Sequence, residues 1–538
     1  MGDTTENWNF ADVIEGIADR YGDRTLLVHG DVHRTWAEAD RRADGIARTL
    51  LDAGAVEQDK VAQYLYNCDA YMESQMGIFK AGLVPVNTNY RYVEDELAYL
   101  WDNADAVAVI FHGCFADRCD AVRPRVPNVR TWIWVDDGTG PCPDWAIPYE
   151  QAASAATERV VPPWGRSGDH ILMLYTGGTT GMPKGVMWRQ TDLISILGGN
   201  TNPVFAGPTD VAAAVDSLAE GLVVLPACPL MHGTGWFNAL IGMLTGGTVV
   251  TMEGRTFDVV EMLDTIEREG VNGAAIVGDA FAKPMLAALD AQPDRWDISS
   301  LKMMSSSGVM WSEATKEGLL RHHAGMLLVD AFSSSEALGM GQSVSAAGAA
   351  AKTAKFSLGQ NARVIDDDGH DVEPGSGTIG RVAVAGRVPV GYYKDPEKTA
   401  ATFITIDGQR YSMPGDYATV EADGSLTLLG RGSVCINTGG EKVFPEEVEE
   451  ALKTHPEVRD AVVVGVPDEK FGQAITAVVE PADGGQPAEN ELIAHVKGRL
   501  ASYKAPRHVV YVPTIGRAAN GKVDYKGLTT HARAELGR

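Results

Sequence analysis

Short apolar runs alternate with helix-patterned stretches along most of this 538-residue chain, and that alternation restricts the fold more than any other feature. Val61-Ala-Gln-Tyr-Leu-Tyr66 reads as a buried strand. Asp69 to Lys80 follows with apolar residues at helical spacing and stops at Ala81-Gly82. Leu83 to Val86 is another short apolar run, Glu94 to Trp101 is helical, and Ala106 to Phe111 is a further strand. Repeated strand–helix alternation predicts an α/β fold of mainly parallel sheets covered by helices. No repeat of fixed period and no low-complexity tract interrupts the pattern. The alanine-rich stretch Ala346 to Ala351 is expected to form a helix or a loose surface segment.

The first ~430 residues are too long for one core and are expected to divide into two packed subdomains. A boundary is expected near position 431, where the hairpin-like Glu421 to Gly430 runs into Arg431-Gly432-Ser433. Beyond it lies a compact unit: helix Pro445 to His455, strands Asp460 to Val466 and Ala474 to Glu480, and helix Ala488 to Tyr503. Residues 1–431 and 432–538 are therefore expected to be separate domains, the second about 107 residues long.

Charge and cysteine content narrow the function classes. A formal net charge of −26 disfavours general nucleic-acid or anionic-membrane binding, because both partners are polyanions. A hydrophobic share of 45% with 22% charged residues is that of a globular protein. Six cysteines without a CxxC pair suit a reducing cytoplasm rather than a disulfide scaffold. The N-terminus is polar and acidic, Glu6 stands where a myristoylation site needs Ser or Thr, and no apolar run approaches the ~18 residues of a membrane span. The closing Glu-Leu-Gly-Arg carries no peroxisomal or retention address.

The sharpest motif is Tyr175-Thr-Gly-Gly-Thr-Thr-Gly-Met-Pro-Lys-Gly-Val186, entered from the strand-like Ile171 to Tyr175. Gly177, Gly178 and Gly181 let the backbone approach an anion and present N–H groups to it. Thr176, Thr179 and Thr180 add hydroxyl donors, and Lys184 adds a positive charge. Together they suit a polyphosphate. This is not a Walker A loop, since Pro183 precedes the lysine and Gly185 follows it. A second glycine pattern, Gly375-Ser-Gly-Thr-Ile-Gly380, fits GxGxxG but leads into the strand-like Arg381 to Ala385 instead of a helix, so the dinucleotide reading fails.

The Tyr175–Val186 stretch resembles the phosphate loop of the adenylate-forming enzymes, which include acyl-CoA synthetases, luciferases and peptide-synthetase adenylation domains. Further motifs extend the resemblance over nearly the whole chain. Asp330-Ala-Phe-Ser-Ser-Ser-Glu336 resembles the family's Tyr-Gly-x-Thr-Glu, with Phe332, Ser333 and Ser335 at the substituted positions. The resemblance implies that Asp330, Phe332 and Ser333 line the nucleotide, Ser335 binds a phosphate, and Glu336 holds Mg²⁺ as a hard oxygen ligand. Ser305-Ser-Ser-Gly-Val-Met310 is similar to the adenine-binding loop, with Ser307 and Gly308 against the purine. Asp416, in Tyr411-Ser-Met-Pro-Gly-Asp416, is implied to bind the ribose together with Arg431, fifteen positions later.

Ala519-Asn-Gly-Lys522 resembles the C-terminal Gly-Lys motif and implies that Lys522 is the adenylation lysine. Pro229-Leu-Met-His232 is similar to a segment beside the carboxylate, where His232 faces the acid or gates access; a core histidine satisfied by a carbonyl fits those residues equally. Gly439 and Gly440 are implied to line the CoA tunnel, and a hinge at 431–434 falls on Val434 where the family usually has Asp or Lys. The implied fold is a large N-terminal domain of two packed subdomains plus a small β subdomain, with a small mobile α+β C-terminal domain.

These motifs imply an ATP-dependent acyl-CoA ligase that makes an acyl-adenylate and then a CoA thioester, using ATP, Mg²⁺ and CoA. Trp188-Arg189, Pro389 to Tyr393 and Gly430 to Val434 look similar to actinobacterial acyl-CoA synthetases, including the group that activates steroid side-chain acids. The acid is expected to be a long-chain fatty acid or a steroid side-chain carboxylate, in a pocket between Met231–Phe237, Val277–Ala280 and Ser306–Met310. There Gly233, Gly235, Gly278 and Ala280 are expected to leave room. The expected partners are small molecules, with no stable membrane insertion, and a homodimer is compatible. Two alternatives stay open: transfer of the acyl-adenylate to a carrier protein, and a non-catalytic nucleotide-binding protein of the same fold. The chain ends sixteen residues after Lys522, without a carrier segment, which favours CoA.

Overall fold

Strands that are apolar on both faces need cover on both sides, and the architecture supplies it. The computed structural model describes residues 6–176, 182–438, 441–468, 472–482, 485–500, 502–518, 521 and 523–537, with backbone alone at 431, 433, 437, 441 and 442. Among these residues the strands form three sheets. One has eight strands, ordered Gly391–Tyr392, Lys184–Arg189, Ile171–Thr176, Val84–Asn87, Lys60–Tyr64, Ala106–His112, Thr131–Val135 and Ile147–Pro148. From Ile171–Thr176 onward the neighbours run parallel. Val84–Asn87 and Thr131–Val135 are buried along their whole length, as strands covered on both faces must be.

The second sheet has fifteen strands and changes character midway. Thr25–His29, Thr248–Thr251, Val223–Pro226, Gly273–Ile276, Met303–Ser306 and Leu327–Ser334 are parallel neighbours. From Ala337–Ser345 the pairing turns antiparallel and continues through Lys355–Leu358 and Leu426–Arg431 into a β unit with its own apolar core around Phe356, Val382, Val384 and Ala418. The expected small β subdomain is therefore continuous with a large sheet. The GxGxxG stretch runs from a loop of this unit into a strand: Gly375 and Gly377 adopt φ of +77° and +73°, and Ile379 and Gly380 open the antiparallel strand Ile379–Ala385. Ala346 to Ala351 forms a turn closed by a bridge between Ala346 and Ala349 instead of a helix.

Helices fill the space between the sheets. Helix Trp36–Asp52 starts at a capping box in which Thr35 Oγ1 accepts from the Glu38 N–H and the Glu38 carboxylate accepts from the Thr35 N–H. Helix Asp69–Lys80 is buried from Ala70 to Lys80, wedged into the core beside it. At Gly77 a Cβ would come within 2.8 Å of the Ala43 carbonyl oxygen, so glycine sets how closely the two helices approach.

The third sheet comprises Glu441–Val443, Ile436–Thr438, Gly472–Pro481, Val458–Asp468 and His508–Tyr511. Helices Pro445–Lys453 and Glu489–Lys497 supply Val448, Leu452, Leu492 and Val496 to one core. Helix Tyr525–Glu535 supplies Ala532 and Leu528 to another. A three-residue 3₁₀ turn, Gly432–Val434, joins this unit to strand Leu426–Arg431, so Val434 sits in the connector itself.

Candidate active site

Strand Ile171–Thr176 returns as Lys184–Arg189 with Thr176 opposite Lys184, so both flanks of the glycine loop are held in register. Gly177, Gly178, Thr179, Thr180 and Gly181 lie outside the described residues. The parallel neighbour Val84–Asn87 ends in a buried asparagine. Asn87 Oδ1 accepts from the Tyr175 N–H at 2.6 Å, while Nδ2 donates to the carbonyls of Tyr175 and Met231 at 2.9 and 2.6 Å. One side-chain amide thus ties the strand that feeds the loop to the segment that carries His232. His232 is half-buried at the N-cap of helix Gly233–Leu244.

Lys184 pairs with Asp395, which caps helix Pro396–Thr402, and its Nζ lies 5.9 Å from the centre of the Tyr392 ring. The hydrogen bond from Lys184, joined by one from the Lys398 N–H, holds the Asp395 carboxyl below its ordinary range. The Tyr392 hydroxyl donates to Glu336 Oε1 at 2.8 Å. Glu336 is buried at the turn between Leu327–Ser334 and Ala337–Ser345, where Ser412 Oγ donates to its carbonyl and Trp188 Nε1 donates to the Ser335 carbonyl. Tyr392 therefore joins the lysine flank of the loop to the carboxylate expected to hold metal. Among the described residues no group of three or more His, Cys, Asp or Glu side chains could hold a metal ion. A single buried carboxylate suits Mg²⁺, which keeps its waters and takes most other ligands from phosphate.

The parallel strands Gly273–Ile276 and Met303–Ser306 end side by side, with Ser306 opposite Asp330 in the middle of Leu327–Ser334. Ser306 Oγ accepts from the Gly278 N–H at 2.8 Å. Beyond Ser307, Gly308 takes φ of +91° and has no atom within 4 Å of where a Cβ would sit, leaving space beside the backbone. Asp330 is 4% exposed, and burial pushes its carboxyl up to about 7 against the opposing charge of Lys316, itself 1% exposed. Phe332 is 7% exposed and packs 5.4 Å from Phe356, so most of the ring belongs to the β-unit core. Ser333 Oγ accepts from the Gly339 N–H at 3.2 Å.

Two glycines expected to open the acid pocket do something else. A Cβ on Gly235 would lie 2.4 Å from the Pro229 carbonyl oxygen, and one on Gly278 2.5 Å from the Met310 oxygen, at φ +51°. Both are small because backbone passes against them. A Cβ on Gly233 would meet the end of a flexible side chain instead, Leu174 Cδ2 at 3.2 Å, a tight contact that Leu174 would have to yield to by a few tenths of an ångström.

Asp416 is buried opposite Arg431 in the ladder between Asp416–Val420 and Leu426–Arg431. The small unit docks here: the Tyr417 and Phe444 rings are 5.5 Å apart, and Gly430 abuts Glu446. A further contact is at Gly521, φ +70°, where a Cβ would lie 2.5 Å from Val309 Cγ2 and 3.2 Å from Val277 Cγ1. Gly521 therefore touches the loops that leave strands Gly273–Ile276 and Met303–Ser306. Lys522, Gly439 and Gly440 lie outside the described residues.

Sequence reasoning did not single out Asn87 or assign Tyr392 to the site. A polar residue ending a buried parallel strand marks the first; nothing local marks the second, whose partner Glu336 is distant in sequence.

The family model of AMP-binding enzymes matches residues 14–393, and that of the AMP-binding enzyme C-terminal domain matches residues 447–522. The chain is 41% identical over 530 residues to a medium/long-chain-fatty-acid–CoA/3-oxocholest-4-en-26-oate–CoA ligase of Mycolicibacterium smegmatis, covering 96% of this chain and 95% of that protein. It is 42% identical over 535 residues to a 3-oxocholest-4-en-26-oate–CoA ligase of Rhodococcus rhodochrous, with 96% and 95% covered. Among solved structures, the anthranilate CoA ligase AuaEII in complex with anthranoyl-AMP superimposes with a TM-score of 0.83 at 21% identity, covering 99% of both chains. ATP-bound MatB from Rhodopseudomonas palustris gives 0.81 at 23% identity, with 99% of this chain and 100% of that chain covered.

Proposed function

Since the chain belongs to the AMP-binding enzyme family, we propose that it is an ATP-dependent acyl-CoA ligase acting on a medium- or long-chain fatty acid or a steroid side-chain acid. The relatives named for fatty acids and 3-oxocholest-4-en-26-oate match along nearly their whole length, which supports the substrate class. The geometric support is the seat of Gly521 on Val277 and Val309, because the residue next to Lys522 then lies where the two parallel strands Gly273–Ile276 and Met303–Ser306 end.

In the first half-reaction a carboxylate oxygen attacks the α-phosphorus of ATP, and the bond to pyrophosphate breaks. Both reactants are anionic, so the site must supply positive charge and N–H donors. Thr176, Gly177, Gly178, Thr179, Thr180, Gly181 and Lys184 hold the β- and γ-phosphates, with Lys184 exchanging Asp395 for phosphate. Ser333 and Ser335 lie beside them. Glu336, oriented by Tyr392, would hold Mg²⁺, which supplies charge neutralisation on the phosphates. Ser307, Gly308 and Asp330 take the adenine, with Phe332 backing them from the β-unit core, Asp416 and Arg431 the ribose, and His232 faces the acid. Lys522 bridges carboxylate and α-phosphate and holds the in-line approach.

In the second half-reaction the CoA thiol attacks the acyl carbonyl, the bond to phosphate breaks, and AMP leaves. One site then serves two nucleophiles, so the small unit turns about 431–434, withdraws Lys522 and brings Gly439 and Gly440 to the CoA tunnel. Six cysteines with no disulfide support a reducing cytoplasm as the setting.

A pyrophosphate-release assay with CoA and a panel of acetate, benzoate, dodecanoate, palmitate and 3-oxocholest-4-en-26-oate tests the reading. Turnover of dodecanoate, palmitate or the steroid acid, with thioester formed, supports it. Release with acetate or benzoate alone, or thioester on a carrier protein but not on CoA, overturns it.

A further inference from the structure

Residue 522 can act only if its backbone is held, and the residue before it does not hold itself. Gly521 takes φ of +70°, and its N–H donates to the Ala518 carbonyl at 2.8 Å. Glycine there has no side chain to anchor it and wide backbone freedom. The anchor comes from the same unit. Arg517 donates through Nε and Nη2 to the two carboxylate oxygens of Asp460, at 2.5 and 2.9 Å, and through Nη1 to the Gly521 carbonyl at 3.2 Å. Asp460 is fixed in turn on strand Val458–Asp468, where its Oδ1 also accepts from the Ala461 N–H.

We propose that Arg517 is a positioning residue for adenylation: clamped by Asp460, it holds the Gly521 carbonyl and so presets the loop that leads to Lys522. The carbonyl belongs to the planar peptide unit that joins Gly521 to Lys522, so restraining the oxygen restrains the plane from which the lysine departs. A bidentate guanidinium–carboxylate pair fixes direction as well as distance, and Arg517 spends its remaining arm on the loop. Both ends of the clamp lie in the small unit, so it survives the turn of that unit between half-reactions. Only the first half-reaction uses Lys522, and only that one depends on the clamp. Burial opposes ionisation of Asp460, and the Arg517 bond and charge overcome it, holding the carboxyl below its ordinary range and the pair intact at neutral pH.

The inference deepens the proposed function and rests on it. The test measures both half-reactions separately on the full-length protein, with dodecanoate and with 3-oxocholest-4-en-26-oate. The variants are Arg517→Ala, Arg517→Lys, Asp460→Asn and, as reference, Lys522→Ala. Arg517→Lys keeps a charge beside Asp460 but loses the second arm, which guards against a folding failure of the alanine variant. Expected is a loss of at least tenfold in acid-dependent pyrophosphate exchange for the Arg517 variants, with conversion of supplied acyl-adenylate to thioester changed less than threefold, on the scale of a displaced reacting group. Equal losses in both half-reactions, or unchanged exchange, overturn the clamp. If Lys522→Ala loses exchange and the Arg517 variants keep it, the clamp alone fails. If Lys522→Ala keeps exchange, the role given to Lys522 fails and the clamp falls with it.

Discussion

Replacing Gly521 with alanine separates the two half-reactions by sterics alone. The new Cβ would stand 2.5 Å from Val309 Cγ2, 3.2 Å from Val277 Cγ1 and 3.4 Å from Val309 Cβ. Carbon–carbon contacts are comfortable at about 3.5–4.0 Å, so the loop and Val309 must part by about 1 Å. Two costs arise. The positive φ costs about 1–2 kcal/mol for an L side chain in any arrangement of the small unit. Overpacking against Val309 costs about 1–3 kcal/mol and is felt only while Gly521 is seated there. The second cost acts on adenylation, which should fall by about 5- to 150-fold at 1.4 kcal/mol per tenfold. Thioester formation from supplied acyl-adenylate should change less than about threefold. Truncating the opposing side chain, as Gly521→Ala with Val309→Ala, removes the clash and leaves only the φ cost. Pyrophosphate exchange measured beside single-turnover thioester formation reads both. If the double variant exchanges no better than Gly521→Ala, or if Gly521→Ala slows both steps alike, the seat of Gly521 is not the adenylating arrangement.

Other perturbations reach the site from different sides. Tyr392→Phe removes the donor 2.8 Å from Glu336 Oε1. A hydrogen bond to a charged group contributes about 1.5 kcal/mol or more, so exchange should fall by about tenfold, with the Mg²⁺ titration shifted to higher concentration; an unchanged titration argues against Glu336 as the metal ligand. Asp330→Asn should alter the pH dependence of stability. Burial raises the folded carboxyl to about 7, so the stability it contributes is complete below the unfolded value near 4 and is lost as pH rises towards 7. The loss is at most about 4 kcal/mol, and the variant should gain on the wild type at pH 8 but not at pH 4 in thermal or denaturant melts. A constant difference across that range refutes the burial argument.

Much of the scaffold is legible because its signal is local. Asp69 to Lys80 and Glu94 to Trp101 show helical spacing, Ala106 to Phe111 is a run of buried strand residues, and the structure has helices Asp69–Lys80 and Glu94–Asn103 and strand Ala106–His112. Lys184, Glu336 and Asp330 are singled out by resemblance to the family's motifs. What escapes is long-range. Asn87 acts by joining Tyr175 to Met231, and Tyr392 by joining Lys184 to Glu336, partners that no sequence window contains. Gly235 and Gly278 carry the same residue code whether they open a pocket or admit a neighbouring backbone; only the 2.4 and 2.5 Å approaches decide for the backbone. Phe332 carries an aromatic ring suited to stacking, yet its strand phase turns most of that ring into the β-unit core. Ala346 to Ala351 has helical propensity, and the strand before it, Ala337–Ser345, ends in a turn instead.

Acid-dependent exchange of labelled pyrophosphate into ATP, measured without CoA, tests the account most directly. An enzyme that first makes an acyl-adenylate exchanges label when a fatty or steroid acid is present, stops when the acid is withdrawn, and on addition of CoA releases AMP and thioester in equal amounts. Exchange that requires CoA, or cleavage of ATP to ADP, would contradict it.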